Sequence, residues 1–338
     1  MILVLNCGSQ SIKWKLYDKS LTLLKEKEIS VLNSKEFERT LEKELNSLKE
    51  YEISYIGHRV VHGGEKYTKT TLIDKGELKK LESFNYLAPL HNPFNTLGIS
   101  ICMKVFPEAK EIAVFDTEFY SDLPKEAYTY ALSLKVAQKK GYRKFGFHGI
   151  SHEYASKQAA KEIKKPYNKL KIISCHLGGG SSVSAISKGK AVETSMGYTP
   201  LDGLAMMTRC GDVDPGIVLD LLKDNTLTEV KHILNKESGL YGICGKDNML
   251  AILEEVKKDN KKAQLALDIY TYRIKKYIGA YYAVMGGCDL IVFTGTIGYR
   301  SSKIRNMILK NLPIKAKDIE IKPDEELAIA QKIVNFRK

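Results

Sequence analysis

The chain starts with a short apolar run, Met1–Leu5, that breaks at NCGSQS and resumes as SIKWKLY, where apolar and polar residues alternate. A period of two sends successive side chains to opposite faces of a strand. The Gly-containing break closes a hairpin, so the pattern predicts strands over 2–6 and 11–17. Met1–Leu5 is too short for a secretory apolar region or a membrane span, and no later window sustains the roughly eighteen apolar residues that a crossing helix needs. The expectation is a water-soluble chain whose first strand is buried.

Helical periodicity follows over 35–49, and ISYIGHRVV (53–61) reads as a strand. The segment 75–106 is helical in two pieces, broken by APLHNP. EIAVFDT (111–117) is a strand, and a Tyr-rich loop leads into GYRKFGFHGISHEYASKQAAKEI, whose second half is a helix. The opening device then returns. KIISCHLGGGSSVSAISKGKAVET reads as strand, Gly/Ser turn, strand, KGK turn and third strand. After the loop MGYTPLDGLAMMTRCGDVDPG come helices over 216–236 and 249–285, a third strand-glycine unit in CDLIVFTGTIGYRSSKIRNMIL, and a closing helix in PDEELAIAQKIV. Two such hairpins, one near the start of each half, predict two related α/β domains.

Composition narrows the class. At 338 residues the chain can build two cores, and 43% hydrophobic with 28% charged residues is the balance of a globular enzyme. The six Cys are scattered with no CxxC pair, which predicts reduced thiols in a cytoplasm and neither a disulfide frame nor a zinc site. A net charge of +13 raises nucleic-acid binding. The Lys residues are interspersed with Glu, however, in LKEKEIS and KEIKKPYNKLK, which read as solvated helical faces, and no zinc finger, RNP motif or arginine-rich block occurs. Neither nucleic acid nor membrane is expected as a partner. Only eight of the 53 basic residues are Arg, so an Arg inside a motif stands out.

The two Gly/Ser turns offer backbone N–H groups and hydroxyls, the chemistry of a phosphate cradle built on hairpins. The plain alternative, two ordinary turns, is weakened by the repetition and by Lys13 at the edge of the first. Other phosphate and nucleophile motifs are absent: GLYGICGKD lacks the spacing and hydroxyl of GxxxxGK[ST], and there is no GxGxxG or GxSxG. The pairs His58/His62 and His148/His152 have metal-ligand spacing, but HRVVH reads as a strand without the Glu of HExxH and HGISH as a loop entering a helix.

Several stretches resemble acetate kinases, in the family's order: LNCGSQSIKWKLYD, GHRVVHGGE, LAPLHNP, VFDTEF, KFGFHGISH, CHLGGGSS, ETSMGYTPLDGLAMMTRCGDVDP and EELAIA. The resemblance covers almost the whole chain. It implies the two-domain actin-like fold, a duplicated ribonuclease-H-like α/β unit of the acetate and sugar kinase/Hsp70/actin superfamily, with an active-site cleft between the domains. The implied first domain is 1–120, completed by a helix over 327–338; the second is 121–326, with the nucleotide site and dimer interface. The implied reaction is ATP + acetate ⇌ ADP + acetyl phosphate with Mg²⁺ or Mn²⁺, in a cytoplasmic homodimer.

The resemblance also assigns residues. Arg59 matches the ligand of carboxylate and phosphate, and Arg209 the group stabilising the transferring phosphoryl; a planar guanidinium suits both anions. His148 matches a second transition-state donor, and His91 lines the same cleft. Asp116 matches the catalytic acid, with orienting an Arg or holding the metal's water as alternatives. Asn6 and Glu325 match outer metal ligands. Val61, Leu90, Phe147 and Pro200 match the pocket for the acetate methyl. Ser9, Ser11 and Lys13 match one phosphate hairpin; His176, Leu177, Gly178, Gly179 and Gly180 match the other. Thr296, Ile297, Gly298, Tyr299 and Arg300 match the adenosine loop.

The departures cluster on the nucleotide side. Gly179 stands where the family has the Asn of HLGNG, TIGYR replaces GIGEN, and Met249, Leu250 and Ala251 replace an Asp-Phe-Arg near adenine. The chain is also shorter than most relatives between Lys13 and Arg59 and between Ser301 and Glu325. Three alternatives therefore stay open: a non-ATP donor such as pyrophosphate, propionate or another short acid as acceptor, and a non-catalytic binder of phosphate ligands.

Overall fold

The computed structural model describes residues 1–8, 11–31, 33–89 and 91–336. In chain order come β1 (Ile2–Cys7), β2 (Ser11–Tyr17), β3 (Leu23–Ser30), α1 (Ser34–Asn46), β4 (Tyr55–Val60), β5 (Thr71–Leu72), α2 (Lys75–Glu82), α3 (Asn92–Val105) and β6 (Lys110–Phe115). Short helices α4 (Lys125–Tyr128) and α5 (Leu134–Lys140) precede α6 (Gly149–Glu162). The second hairpin system is β7 (Lys171–Leu177), β8 (Ser181–Ser187) and β9 (Lys190–Thr194). Helices α7 (Pro215–Asp224), α8 (Leu227–Lys236), α9 (Gly239–Cys244), α10 (Met249–Lys257) and α11 (Lys261–Met285) follow. The chain ends with β10 (Leu290–Thr294), α12 (Gly295–Arg300), α13 (Ser302–Leu309), β11 (Lys317–Glu320) and α14 (Glu325–Phe336).

The chain divides into two compact units: unit 1 is Met1–Ser121, Phe147–Ile150 and Asp324–Lys338, and unit 2 is Asp122–Gly146 and Ser151–Pro323. Phe147, His148 and the start of α14, which the sequence reading gave to the second domain, lie in unit 1.

Unit 1 is a sheet of order β3-β2-β1-β4-β6-β5. β1, β2 and β3 form an antiparallel meander, while β4 and β6 add in parallel. Strand alternation sorts the two faces. Leu3, Leu5, Cys7, Ile12, Trp14, Leu16 and Ile56 pack with α1 and α3. The opposite face is covered by α14, which comes so close that a Cβ on Gly57 would sit 2.7 Å from Ile329 Cγ2. Gly57 is therefore set by close approach of helix to strand. The segment LKEKEIS is a strand, not the helical face expected from its charges. β3 is an exposed edge strand whose Glu residues pair with the Lys residues of β2: Lys13 Nζ lies 2.9 Å from Glu28 Oε1 and Lys15 Nζ 3.5 Å from Glu26 Oε2. An edge strand with no buried face carries no apolar alternation, and its charges discourage pairing with other chains.

Unit 2 repeats the plan with order β11-β10-β7-β8-β9. β7, β8 and β9 form the antiparallel meander; β10 and β11 add in parallel. Both sheets thus share one wiring, the duplication that the two hairpins predicted. The unit 2 core joins Ile173, Cys175 and Leu177 of β7 and Phe293 of β10 to Leu267, Tyr270 and Ile274 of α11. The helical stretch 216–236 is interrupted at Asn225, where Thr226 and Glu229 form a capping box that starts α8. The stretch 249–285 breaks at Lys258, and Asn260 caps α11.

Candidate active site

The α14 face of the unit 1 sheet gathers polar groups. Asn6 on β1 and Arg59 on β4 alternate with residues of the opposite, apolar face, so both point toward α14, and Asp116 follows the end of β6 in the same phase. Arg59 Nη2 donates to Asp116 Oδ2 at 2.8 Å, and Arg59 Nε lies 3.2 Å from both carboxylate oxygens. Arg59 Nη1 reaches Asn6 Oδ1 at 3.5 Å, and Asn6 Nδ2 donates to Glu326 Oε1 at 3.1 Å. Burial works against the Arg59 charge, but Asp116, with Glu325 and Glu326 behind it, more than compensates and lifts its pKa above the ordinary value. Glu326, pushed up first by burial and then by Glu325, is a member of this cluster that motif matching missed.

The adjoining loops are stitched by buried amides. Asn95 on α3 accepts from Val61 N at 3.1 Å and donates to Cys7 O at 2.7 Å, tying the ends of β1 and β4. Asn92 accepts from His62 N at 3.1 Å and donates to His62 O at 2.9 Å. Val61 is buried, and the Phe147 ring meets His62 edge-on with centroids 5.3 Å apart. His91 precedes α3, with Pro93 in the first helical turn. His148 adopts φ +56, a left-handed conformation that a non-glycine residue holds only where its surroundings enforce it. Two bonds enforce it here: Tyr120 Oη donates to Phe147 O at 3.0 Å, and Gly149 N to Asp116 O at 3.0 Å. A Cβ on Gly149 would collide with the Asp116 carbonyl, so glycine is required beside His148. Ser9 and Leu90 lie outside the described residues. Ser11 opens β2, with its carbonyl accepting from Gly8 N at 2.8 Å.

In unit 2 the turn Gly178–Gly180 joins β7 to β8. Gly178 N donates to Gly180 O at 3.0 Å, and Ser181 Oγ lies 3.0 Å from Tyr270 Oη. His176 Nδ1 is 2.8 Å from Ser151 Oγ. The segment matched to the adenosine loop is not a loop: Thr296, Ile297, Gly298, Tyr299 and Arg300 are helical, within α12. Thr296 is exposed, and its Oγ1 would be 3.4 Å from a Cβ on Gly178. Ala251 lies in the first turn of α10, its N–H donating to the cap Asn248 at 2.8 Å, beside the exposed Leu250.

Arg209 sits on the loop between β9 and α7, and that loop touches the glycine turn through Met207 N donating to Gly179 O at 3.3 Å. Arg209 Nη1 donates to Pro200 O at 3.0 Å and lies 3.7 Å from Met206 Sδ; among the described residues no carboxylate pairs with it. Burial accordingly lowers its pKa from the ordinary value. Missed by motif matching is the support of this loop. Asp212 accepts from Gly203 N at 2.9 Å and from Tyr277 Oη at 2.8 Å, closing the loop on both sides of Arg209.

The residues of unit 1 fit a divalent ion of the magnesium class. The donors on the α14 face are the Asn6 amide and the Asp116, Glu325 and Glu326 carboxylates, all hard oxygens. Burial and then Glu325 raise the cost of ionising Glu326, which a cation relieves.

Comparison with known proteins agrees with this geometry. The Acetokinase family profile matches residues 25–334. An acetate kinase of Halothermothrix orenii is 45% identical over 347 residues, spanning 92% of this chain and 87% of the relative. That of Methanosarcina thermophila is 44% identical, spanning 96% and 87%. Among solved structures, Porphyromonas gingivalis acetate kinase superposes with TM-score 0.90 at 34% identity, covering 100% of this chain and 99% of that one. A propionate kinase from Francisella tularensis gives 0.91 at 36%, covering 98% of each. The class is thus a kinase that transfers phosphate to a carboxylate acceptor, on an actin-like two-unit fold. Within that class, the chain belongs to the acetokinase family.

Proposed function

We propose that the chain catalyses reversible phosphoryl transfer between ATP and acetate, giving ADP and acetyl phosphate, with Mg²⁺ or Mn²⁺. The observation that carries this reading is Arg209, a half-buried guanidinium without an anionic partner among the described residues, on a loop bonded to the Gly178–Gly180 turn. An uncompensated cation at a turn rich in backbone N–H groups is a place for transferring phosphoryl oxygens.

Acetate is already ionised at neutral pH, so its attack on phosphorus needs positioning and charge neutralisation but no base. Arg59 binds the acetate carboxylate and the phosphoryl group, and Asp116 orients Arg59 through the 2.8 Å contact rather than acting as a proton donor. His148, fixed in its left-handed conformation, is the second donor to the phosphoryl group, with His91 beside it. Val61 and Phe147 of unit 1 meet the methyl group. Asn6 and Glu325 would hold the divalent ion, which supplies charge neutralisation at the phosphates. Ser11, Lys13, His176, Leu177 and the two glycine-containing turns bind the phosphates, and α12 faces the nucleoside.

The active form is a homodimer. Helix α7 has no buried residue and exposes Ile217, Leu219 and Leu222, apolar side chains that a second copy would cover. A cytoplasmic location accords with the six unpaired cysteines.

The test is hydroxamate trapping of acetyl phosphate at fixed Mg²⁺. Acetate-dependent product supports the reading, with propionate as a poorer acceptor. Ligand binding without turnover for any donor or acid would overturn it in favour of a non-catalytic binder.

A further inference from the structure

The face of the unit 1 sheet opposite Arg59 holds a second group of chemically active side chains. His58 precedes Arg59 on β4 and so points the other way, toward α3. Glu111 at the start of β6 and Cys102 on α3 converge on it. His58 Nε2 lies 2.6 Å from Glu111 Oε2, and one ligand atom from each of His58, Cys102 and Glu111 falls within 4.8 Å of the others. All three are buried: His58 is 2%, Cys102 0% and Glu111 3% exposed. It is the one such group of three or more among the described residues.

The group is not satisfied as a set of hydrogen bonds. Glu111 Oε1 is buried with no partner, although buried carboxylate oxygens are nearly always paired. Among the described ion pairs, Glu111 is paired with His58 alone. A thiol, an imidazole and a carboxylate with ligand atoms within 4.8 Å of one another are donors that a zinc-type ion takes.

We propose that His58, Cys102 and Glu111 form a buried structural site for a zinc-class divalent cation, separate from the oxygen-ligand site on the α14 face. Charge balance favours it in a dry core. Zn²⁺ with one thiolate, one carboxylate and one neutral imidazole sums to zero, so no net charge is buried. Binding exchanges one Zn²⁺ for two protons, the Cys102 thiol proton and the proton shared between His58 and Glu111. The ion would clamp α3 to β4 and β6, the strands whose ends carry Arg59 and Asp116. It would enter during folding, since the ligands are enclosed by the sheet and α3.

Spacing along the chain hides this site: the ligands come from three elements, and His62, the i+4 neighbour of His58, instead receives Gly64 N–H on Nδ1 at 2.9 Å.

The experiment is metal analysis of full-length protein expressed with added zinc and gel-filtered in chelator, beside protein expressed with cobalt. The expected result is about one zinc per chain retained, and a thiolate-to-cobalt charge-transfer absorption in the near ultraviolet. That band distinguishes this site from the oxygen-ligand site. Cys102→Ser should abolish the band, Glu111→Gln should lower zinc retention at least tenfold, and Cys175→Ser, in the unit 2 core, should change neither. Circular dichroism reports whether each variant folds; if Cys102→Ser does not, Glu111→Gln decides. Folded wild-type protein with less than about a tenth of an equivalent of zinc and no thiolate band overturns the proposal.

Discussion

Arg59 and Asp116 form a near-bidentate pair: Nη2 to Oδ2 at 2.8 Å, with Nε 3.2 Å from both oxygens, Asp116 fully enclosed and Arg59 22% exposed. The planes of the two groups fix each other, which leaves the remaining Arg59 donors directed outward. Arg59→Ala should raise the KM for acetate and lower kcat, because one donor set serves both ground state and transition state. Asp116→Asn keeps one acceptor oxygen but turns an amide N–H donor toward the Arg59 guanidinium, so it should lower kcat by misorienting Arg59. A double-mutant cycle on unfolding should show coupling of roughly 0.5–3 kcal/mol. Additive effects would mean that the pair is not a unit.

Among the described residues Arg209 has no compensating carboxylate, so removing it should cost the fold little and the reaction much. Arg209→Ala is expected to lower kcat on the order of 10³-fold, as for arginine fingers, with unchanged circular dichroism. Near-native turnover would take Arg209 out of the mechanism.

The acyl pocket is a matter of size. Val61→Ala removes buried volume, and one methylene in such a pocket is worth about 1–3 kcal/mol. The ratio of propionate to acetate kcat/KM should rise roughly tenfold. An unchanged ratio would show that Val61 does not line the acyl site.

His152 supplies a pH prediction. It is buried between Ser174 Oγ and Ser182 Oγ, each at 2.8 Å, and burial, then His176, holds its pKa well below 6.5. The unfolded chain takes up this proton below about pH 6.5 while the native state does not. Stability from this group is therefore full above that pH and falls as pH drops, by up to about 1.4 kcal/mol per pH unit. His152→Gln removes the proton-binding difference, so its urea midpoint should fall less than that of the wild type between pH 7 and pH 5. Parallel curves would mean that His152 is protonated in the native state.

The donor side is where the chain leaves its family's pattern. Exposed Leu250 and Ala251, and Thr296 beside Gly178, offer few polar contacts to a base. A panel of ATP, GTP, CTP and pyrophosphate at fixed acetate and Mg²⁺ should give weak discrimination among nucleotides. Strong ATP preference with a low KM would show that α12, with Tyr299 and Arg300, still builds a tight adenosine site.

Much of the fold was legible because period-two runs and glycine turns are local. The hairpins β1–β2 and β7–β8, the strands β4 and β6 and the helix α14 all carry a buried face that writes itself into the sequence. β3 was misread because an exposed edge strand of Lys and Glu has no such face, and α12 was misread because it is only a six-residue helix headed by Gly295. The candidate site residues were legible only through long motifs; Glu326, Asp212 and the amides of Asn92 and Asn95 were not, since their partners lie far away in the chain.

By itself, the sequence determined the duplicated α/β plan, the family and the residue types able to meet two anions, because alternation, glycine spacing and motif order are properties of neighbouring positions. Tertiary structure alone decided which guanidinium is neutralised and which is not. Arg59 meets Asp116 because β4 and β6 lie side by side in register, whereas Arg209 lies on a loop where, among the described residues, a carbonyl and a sulfur reach its guanidinium. The same pleat that turns Arg59 toward α14 turns His58 toward Cys102 and Glu111. Pairing in space depends on strand order and helix placement, which no single stretch of the chain encodes.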